Sequence, residues 1–224
     1  MEPFGGQLVT PLGGVAPMMR HARLLSSRTR RAYAMGMPAT TDQRYWTPDD
    51  VWALPDDGNR YECIDGALLV TPSPGTPHQR VLGRLYLLVA PYVMAQRLGE
   101  ALFAPADIRL HVDNLVQPDL FVVPPDDTGA VVPSWREVHT LLLAVEVLSP
   151  STARYDRALK RRYYQRAGVS EYWVVDATSH LVERWRPADE RPEIRNETLH
   201  WQPIGATEPL VIDLEALFRN AGGT

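Results

Sequence analysis

The sequence predicts a mixed α/β fold, a mixed central sheet flanked by helices, with an N-terminal hairpin and a C-terminal antiparallel extension. Three observations predict it. Residues 115–123 and 141–148 are short aliphatic runs bounded by turn formers, which reads as two buried strands. Asp65-Gly66 separates two more apolar runs and suits a tight primed turn. Two longer segments accompany these strands, one before residue 115 with core positions at helical spacing and one after residue 148 rich in arginine.

The elements follow in order. Thr47 caps a short helix with Pro48 at its first position, and the helix ends by Pro55. Residues 61–64 and 67–70 form the hairpin. Thr76 caps a long helix in which Val81, Leu82, Leu85, Leu88 and Val89 face the core. Pro91 is expected to kink or split this helix, and Gly99 to end it. Residues 101–104 and 107–110 read as strands leading into the strand that carries Asp119, and Asp107 reads as structural. A loop covers 124–137. After the second buried strand, Ser151 or Thr152 caps a helix that Gly168 ends. Residues 172–176, 181–185 and 198–203 read as strands, the last two as the antiparallel extension. A short strand at 210–212 leads to a terminal helix capped by Asp213.

Composition limits the function. At 224 residues and 45% hydrophobic, the chain is long enough for one well-packed domain, expected over residues 41–220. Residues 1–40 are rich in Gly, Pro, Ser, Met and Arg, and read as a disordered or non-native extension. Their Arg-rich stretch from 20 to 31 resembles a transit peptide, but an upstream start codon explains it more simply. The longest apolar run, 85–95, is too short to span a bilayer, so no membrane partner is expected. A single cysteine, Cys63, excludes an intramolecular disulfide and fits a reducing cytosol, hence a cytoplasmic protein. The net charge of −4 argues against coating nucleic acid through overall charge, not against a local basic patch.

Both buried strands contain an acid, Asp119 in the first and Glu146 in the second. An ionised carboxylate in such a strand is costly unless it is paired or bound to a metal. Two acids on strands that can pair suggest a shared divalent cation, and oxygen ligands suit Mg²⁺ or Mn²⁺. The plainer reading is a pair of salt-bridged or strand-end acids. The next helix holds Lys160, the one lysine among 23 basic residues. Asp156, Lys160 and Tyr164 share a face of it at i, i+4 and i+8. Arg154, Arg157 and Arg161 crowd the same helix and suit contact with phosphates, although a solvated face is the usual reading of a charge run.

Pro118-Asp119, Glu146-Val147 and Lys160, in that order, resemble the PD-(D/E)XK nuclease superfamily. The chain is more closely similar to its Uma-two family of restriction-type endonucleases. The segments that carry this are residues 61–66, Pro77-His78, Gln117-Pro118-Asp119, residues 145–152, Asp156 with Lys160, and residues 171–176. One departure stands out. The superfamily's usual lysine lies two residues after the acid, where this chain has Leu148. The resemblance implies that Lys160 takes its place. It further implies a restriction-endonuclease-like sheet and a Mg²⁺-dependent endodeoxyribonuclease, with DNA as the expected partner and a homodimer as one option. Asp119, Glu146 and Lys160 would be catalytic. Asp119, Glu146 and the Val147 carbonyl would hold the metal. Glu62, His78 and Asp156 are secondary candidates. The rival reading is a nuclease-fold module that binds nucleic acid or assembles with protein but no longer cuts.

Overall fold

The computed structural model describes residues 44–126, 128–129 and 134–221. The expected 1–40 extension lies outside the described residues. Helix α1 (Pro48–Trp52) starts with the capping box that Thr47 announces, since Thr47 and Asp50 each accept the other's backbone N–H. Strands β1 (Arg60–Ile64) and β2 (Ala67–Thr71) form an antiparallel ribbon. Asp65 and Gly66 both have positive φ, 51° and 79°, which is the primed turn that the sequence asks for.

Helix α2 (Thr76–Ala95) differs from expectation at four points. Its N-cap is Gly75, and no side chain bonds its first turn. It runs unbroken through Pro91 and ends at Ala95, short of Gly99. Leu88 is exposed. The buried stripe is His78, Val81, Leu82, Leu85, Val89 and Val93, and Leu88 lies at its margin. Gly99, at φ 109°, packs where a Cβ would strike the Val123 carbonyl, so the close approach of two backbones selects it.

Strand β3 (Glu100–Phe103) begins a six-stranded sheet. It continues with β4 (Leu120–Val123), β5 (Leu143–Val147), β6 (Glu171–Asp176), β7 (Leu181–Trp185) and β8 (Glu193–Arg195), in that spatial order. Only the β5–β6 pair is parallel, and every other neighbour is antiparallel. The parallel pair needs a crossover, which the Lys160 helix supplies. That helix begins as α3 (Ala153–Tyr155), passes through a π-helical stretch at Asp156–Lys160, and ends as α4 (Arg161–Arg166). A π turn inserts a residue into the helical repeat and re-aims the side chains it carries.

The strand of Asp119 is shorter than its apolar run. Pro118 has no N–H to give a ladder, so β4 starts at Leu120 and Asp119 sits just before it. Leu115 and Val116 make only isolated bridges, to Cys63 and Ile108, and the strand expected at 107–110 reduces to that second bridge. Asp107 is structural, accepting from Trp52 Nε1 and Gln117 Nε2. The C-terminal extension is also rearranged. Strand β9 (Thr198–Trp201) pairs with β10 (Leu210–Asp213) as a separate ribbon instead of with β7, which takes the unexpected β8. Asp213 caps α5 (Leu214–Phe218) as expected.

Both faces of the sheet are covered, which is why β5 is buried at every position. On one face Leu143, Val145 and Val147 meet α2, α5 and the β9–β10 ribbon. On the other, Ala144 packs with Tyr163, Tyr164 and Ile64 of the hairpin. Among the described residues no helix is long and apolar enough to cross a membrane.

Candidate active site

Strand pairing brings the two acids together. Leu120 lies opposite Val145, so the next position out sets Asp119 against Glu146, and directly opposed residues of an antiparallel pair share a face. Both side chains line one cavity of ≈ 70 Å³, with Lys160, Asp156, His78, Val147 and Arg60. Residues 71–75 form one rim and Ser149, Ser151 and Thr152 the other.

Asp119 is held on both oxygens. Arg60 Nη1 donates to Oδ1 at 2.8 Å. His78 Nε2 donates to Oδ2 at 2.9 Å, and the backbone N–H of Val147 donates to the same oxygen at 2.8 Å. A carboxylate only accepts, so Nε2 of His78 carries its proton. Burial alone would raise the pKa of Asp119. The His78 hydrogen bond and the charges of Arg60 and Lys160 outweigh it and hold the group at about 2.

Lys160 is equally enclosed, at 3% exposure. Its ammonium lies 2.8 Å from Glu62 Oε2, 3.0 Å from Glu146 Oε1 and 3.8 Å from Asp156 Oδ1. The last contact comes from the π-helical stretch, which starts at Asp156 and ends at Lys160. The other oxygen of Glu62 accepts the N–H of Gln117 at 2.8 Å, which ties the hairpin to the turn before Asp119. Tyr164 donates to Glu146 Oε1 at 3.3 Å.

Four buried carboxylates, Glu62, Asp119, Glu146 and Asp156, thus face two permanent cations, Arg60 and Lys160. The acids that are left in excess are pushed toward their neutral forms. Burial raises Glu146 well above the usual carboxylate range; Lys160 opposes this, while Asp119, Asp156 and Glu62 reinforce it. Burial lifts Asp156 to about 6 against the pull of Lys160 and Thr152. Lys160 is displaced the other way: burial would lower it, but Glu146, Glu62 and Asp156 raise it, so it stays charged.

This cluster fits a divalent cation in charge and in donor chemistry. Two surplus negative charges and hard oxygen donors are what Mg²⁺ or Mn²⁺ takes. Asp156 Oδ1 is buried without a hydrogen-bond donor among the described residues. The donors are not spread as an open cage, and among the described residues no three His, Cys, Asp or Glu side chains are arranged to grip an ion. The cause is local: Asp119 is saturated by Arg60, His78 and the Val147 amide, and Glu146 is turned to Lys160 and Tyr164.

The model of one protein family, described as "Putative restriction endonuclease", matches residues 48–219. The chain belongs to the Uma2 family. Among solved structures, it is similar to "a putative nuclease belonging to DUF820" from Anabaena variabilis. The TM-score is 0.64 at 21% identity, covering 79% of this chain and 99% of that one, and this likeness shows the fold. Among curated proteins no match was found. Restriction-endonuclease-like nucleases generally use divalent metals, which agrees with the donor chemistry of the Uma2 cluster.

Every residue that the sequence nominated as catalytic or secondary, namely Asp119, Glu146, Lys160, Glu62, His78 and Asp156, lies in this one cluster. The three arginines named for phosphate contact have different surroundings. Arg154 is exposed, but Arg157 is committed to Asp176 and Glu183, and Arg161 stacks on the Trp185 ring at 4.8 Å and bonds Gln165. Arg60 was missed. Its signal was strand alternation, since it stands two places before Glu62 and therefore on the same face of β1.

Proposed function

We propose that this chain is a metal-dependent endonuclease that hydrolyses phosphodiester bonds in DNA. The observation that carries the reading is the surplus of buried carboxylates around Lys160, at the edge of an open cavity in a nuclease-family fold. A purely structural ion-pair network would balance its charges, because an unbalanced buried acid is destabilising.

Asp119 and Glu146 would hold Mg²⁺ or Mn²⁺, with the Val147 carbonyl as a third oxygen. Bound there, the cation would supply Lewis-acid stabilisation of the scissile phosphate. The protein's own groups do the positioning. His78 and the Val147 amide fix the rotamer of Asp119. Glu62 and Asp156 hold the Lys160 ammonium on the cavity wall. There it offers a compact, permanent positive charge to the charge that develops on the phosphate, or orients the attacking water. Arg154, on the outer face of the crossover helix, would meet a flanking phosphate.

Cleavage of single- and double-stranded DNA with Mg²⁺, with Mn²⁺ and with EDTA tests this. Cutting that depends on the cation and is lost in Glu146→Gln supports it. DNA binding without cutting under every condition would instead make the chain a binding module on a nuclease fold.

A further inference from the structure

Arg60 sits where a cation should. Its Nη1 donates to Asp119 Oδ1 at 2.8 Å; Asp119 is buried and Arg60 half-buried, at 2% and 17% side-chain exposure. The other oxygen of Asp119 is taken by His78 and the Val147 amide. The acid best placed to grip a metal is therefore already neutralised by a guanidinium. Arginine stays charged at every accessible pH, so raising the pH cannot release it. Burial disfavours this charge, but Asp119, Glu62 and Glu146 more than compensate.

Two observations set this contact apart from a fully saturated structural ion pair. Arg60 Nε is buried without a hydrogen-bond partner among the described residues, whereas a guanidinium locked in place for stability normally saturates its fork. The side chain also lines the cavity beside Thr71, Ser73 and Gly75 at the rim, so it has space into which to retreat. We propose that Arg60 is an internal counter-ion that occupies the cation seat at rest, and that a divalent ion binds by displacing its guanidinium from Asp119. The inference rests on the metal-dependent reading above. It explains why a cluster with surplus negative charge presents no open cage. It also makes cation affinity a property set by the competitor as well as by the ligands, because binding is weakened by the fraction of molecules in which the seat is filled. Once displaced, the guanidinium stands at the rim as a two-pronged donor suited to a phosphate.

The test is Mn²⁺ binding, followed by calorimetry and by the paramagnetic resonance of free Mn²⁺, without nucleic acid. Arg60→Met keeps the length of the side chain and removes the competitor, so it should bind Mn²⁺ roughly tenfold or more tightly than wild type. An arginine that merely supports the site would act in the opposite direction, because its loss would loosen the ligands. Equal or weaker binding by a folded Arg60→Met protein therefore overturns the proposal while leaving the metal reading intact. If neither protein binds Mn²⁺, the metal reading fails and this inference with it. Wild type offers a second measurement that needs no variant. The Arg60 Nε–H signal, observed by NMR on ¹⁵N-arginine-labelled protein, should shift as Mg²⁺ saturates the site. A signal that stays put at saturating Mg²⁺ overturns the displacement.

Discussion

Glu62 Oε2 lies 2.8 Å from Lys160 Nζ, and through this contact the N-terminal ribbon is joined to the crossover helix. Glu62 is fully buried, and its second oxygen holds the Gln117 amide. One side chain thus fixes both the ammonium and the turn that aims Asp119. A surface lysine on a helix has no such partners.

Removing the ammonium should be costly for folding as well as for activity. Lys160→Ala leaves Glu62, Glu146 and Asp156 without their shared cation, and loss of one buried ionic partner typically costs about 3–5 kcal/mol. Lys160→Arg keeps the charge but must fit a wider, planar group among three carboxylates that enclose a compact one. It should fold with a smaller loss and still fail to cut. Urea unfolding in EDTA, with single-turnover cleavage at saturating Mg²⁺, separates the two effects; wild-type cleavage by Lys160→Arg would remove Lys160 from the mechanism.

The two acids should part company when each is neutralised. Glu146→Gln resembles the protonated form that burial already favours, so stability in metal-free buffer should stay level or rise. Asp119→Asn takes the ionised partner from Arg60 and His78, and should cost about 1–3 kcal/mol. Both should abolish cation-dependent cleavage. Denaturant midpoints in EDTA decide, and a large loss in Glu146→Gln would favour a structural salt bridge instead.

Asp156 gives a pH signature. Its pKa is raised from 3.8 to about 6, so the folded protein binds this proton more tightly than the unfolded chain does. The stabilisation is fully present below pH 3.8 and is lost as pH rises through about 6. Asp119, held at about 2, works in the opposite sense but below that window. Metal-free stability should therefore carry a falling contribution between these limits that is missing in Asp156→Asn, and added Mg²⁺ should flatten it. Urea midpoints across pH 4 to 7.5 measure it; identical slopes for wild type and Asp156→Asn would contradict the assignment.

The arginines should divide by their partners. Arg154→Ala and Arg162→Ala, both exposed, should weaken DNA binding and reduce its salt dependence. Arg157→Ala should leave binding nearly unchanged and cost stability, since its charge is spent on Asp176 and Glu183. Anisotropy titrations at two salt concentrations, beside thermal unfolding, check this. Equal losses of affinity for all three would mean that the helix binds DNA as a uniform basic face.

Local chemistry was readable where a residue type allows one backbone outcome. Asp65-Gly66 demands positive φ, Thr47 with Asp50 makes a reciprocal cap, and Asp213 caps its own helix. An acid inside an aliphatic strand announces an environment that must compensate it, which made Asp119 and Glu146 legible. What sequence spacing could not supply was long-range pairing. The choice of β8 rather than β9 as the partner of β7 depends on which edge is free after the sheet forms. Arg60 stayed hidden for the same reason, because alternation places it on the face of Glu62 but does not say what that face meets. Only when the ribbon lies against the turn at Pro118 does its guanidinium meet Asp119.

The opposition of Leu120 and Val145 has a consequence for how this chain can change. Strand residues alternate between the two faces of the sheet, so a single residue inserted or deleted within β4 would carry Asp119 through to the side packed by the opposite core layer. Substitutions along β4 and β5 alter the site by degrees, whereas an odd change in strand length removes it in one step. Insertions should therefore be tolerated in the 124–137 connection and selected against between Asp119 and the point where Val123 meets Gly99, which makes the parity of four residues a stricter constraint than the identity of any one of them.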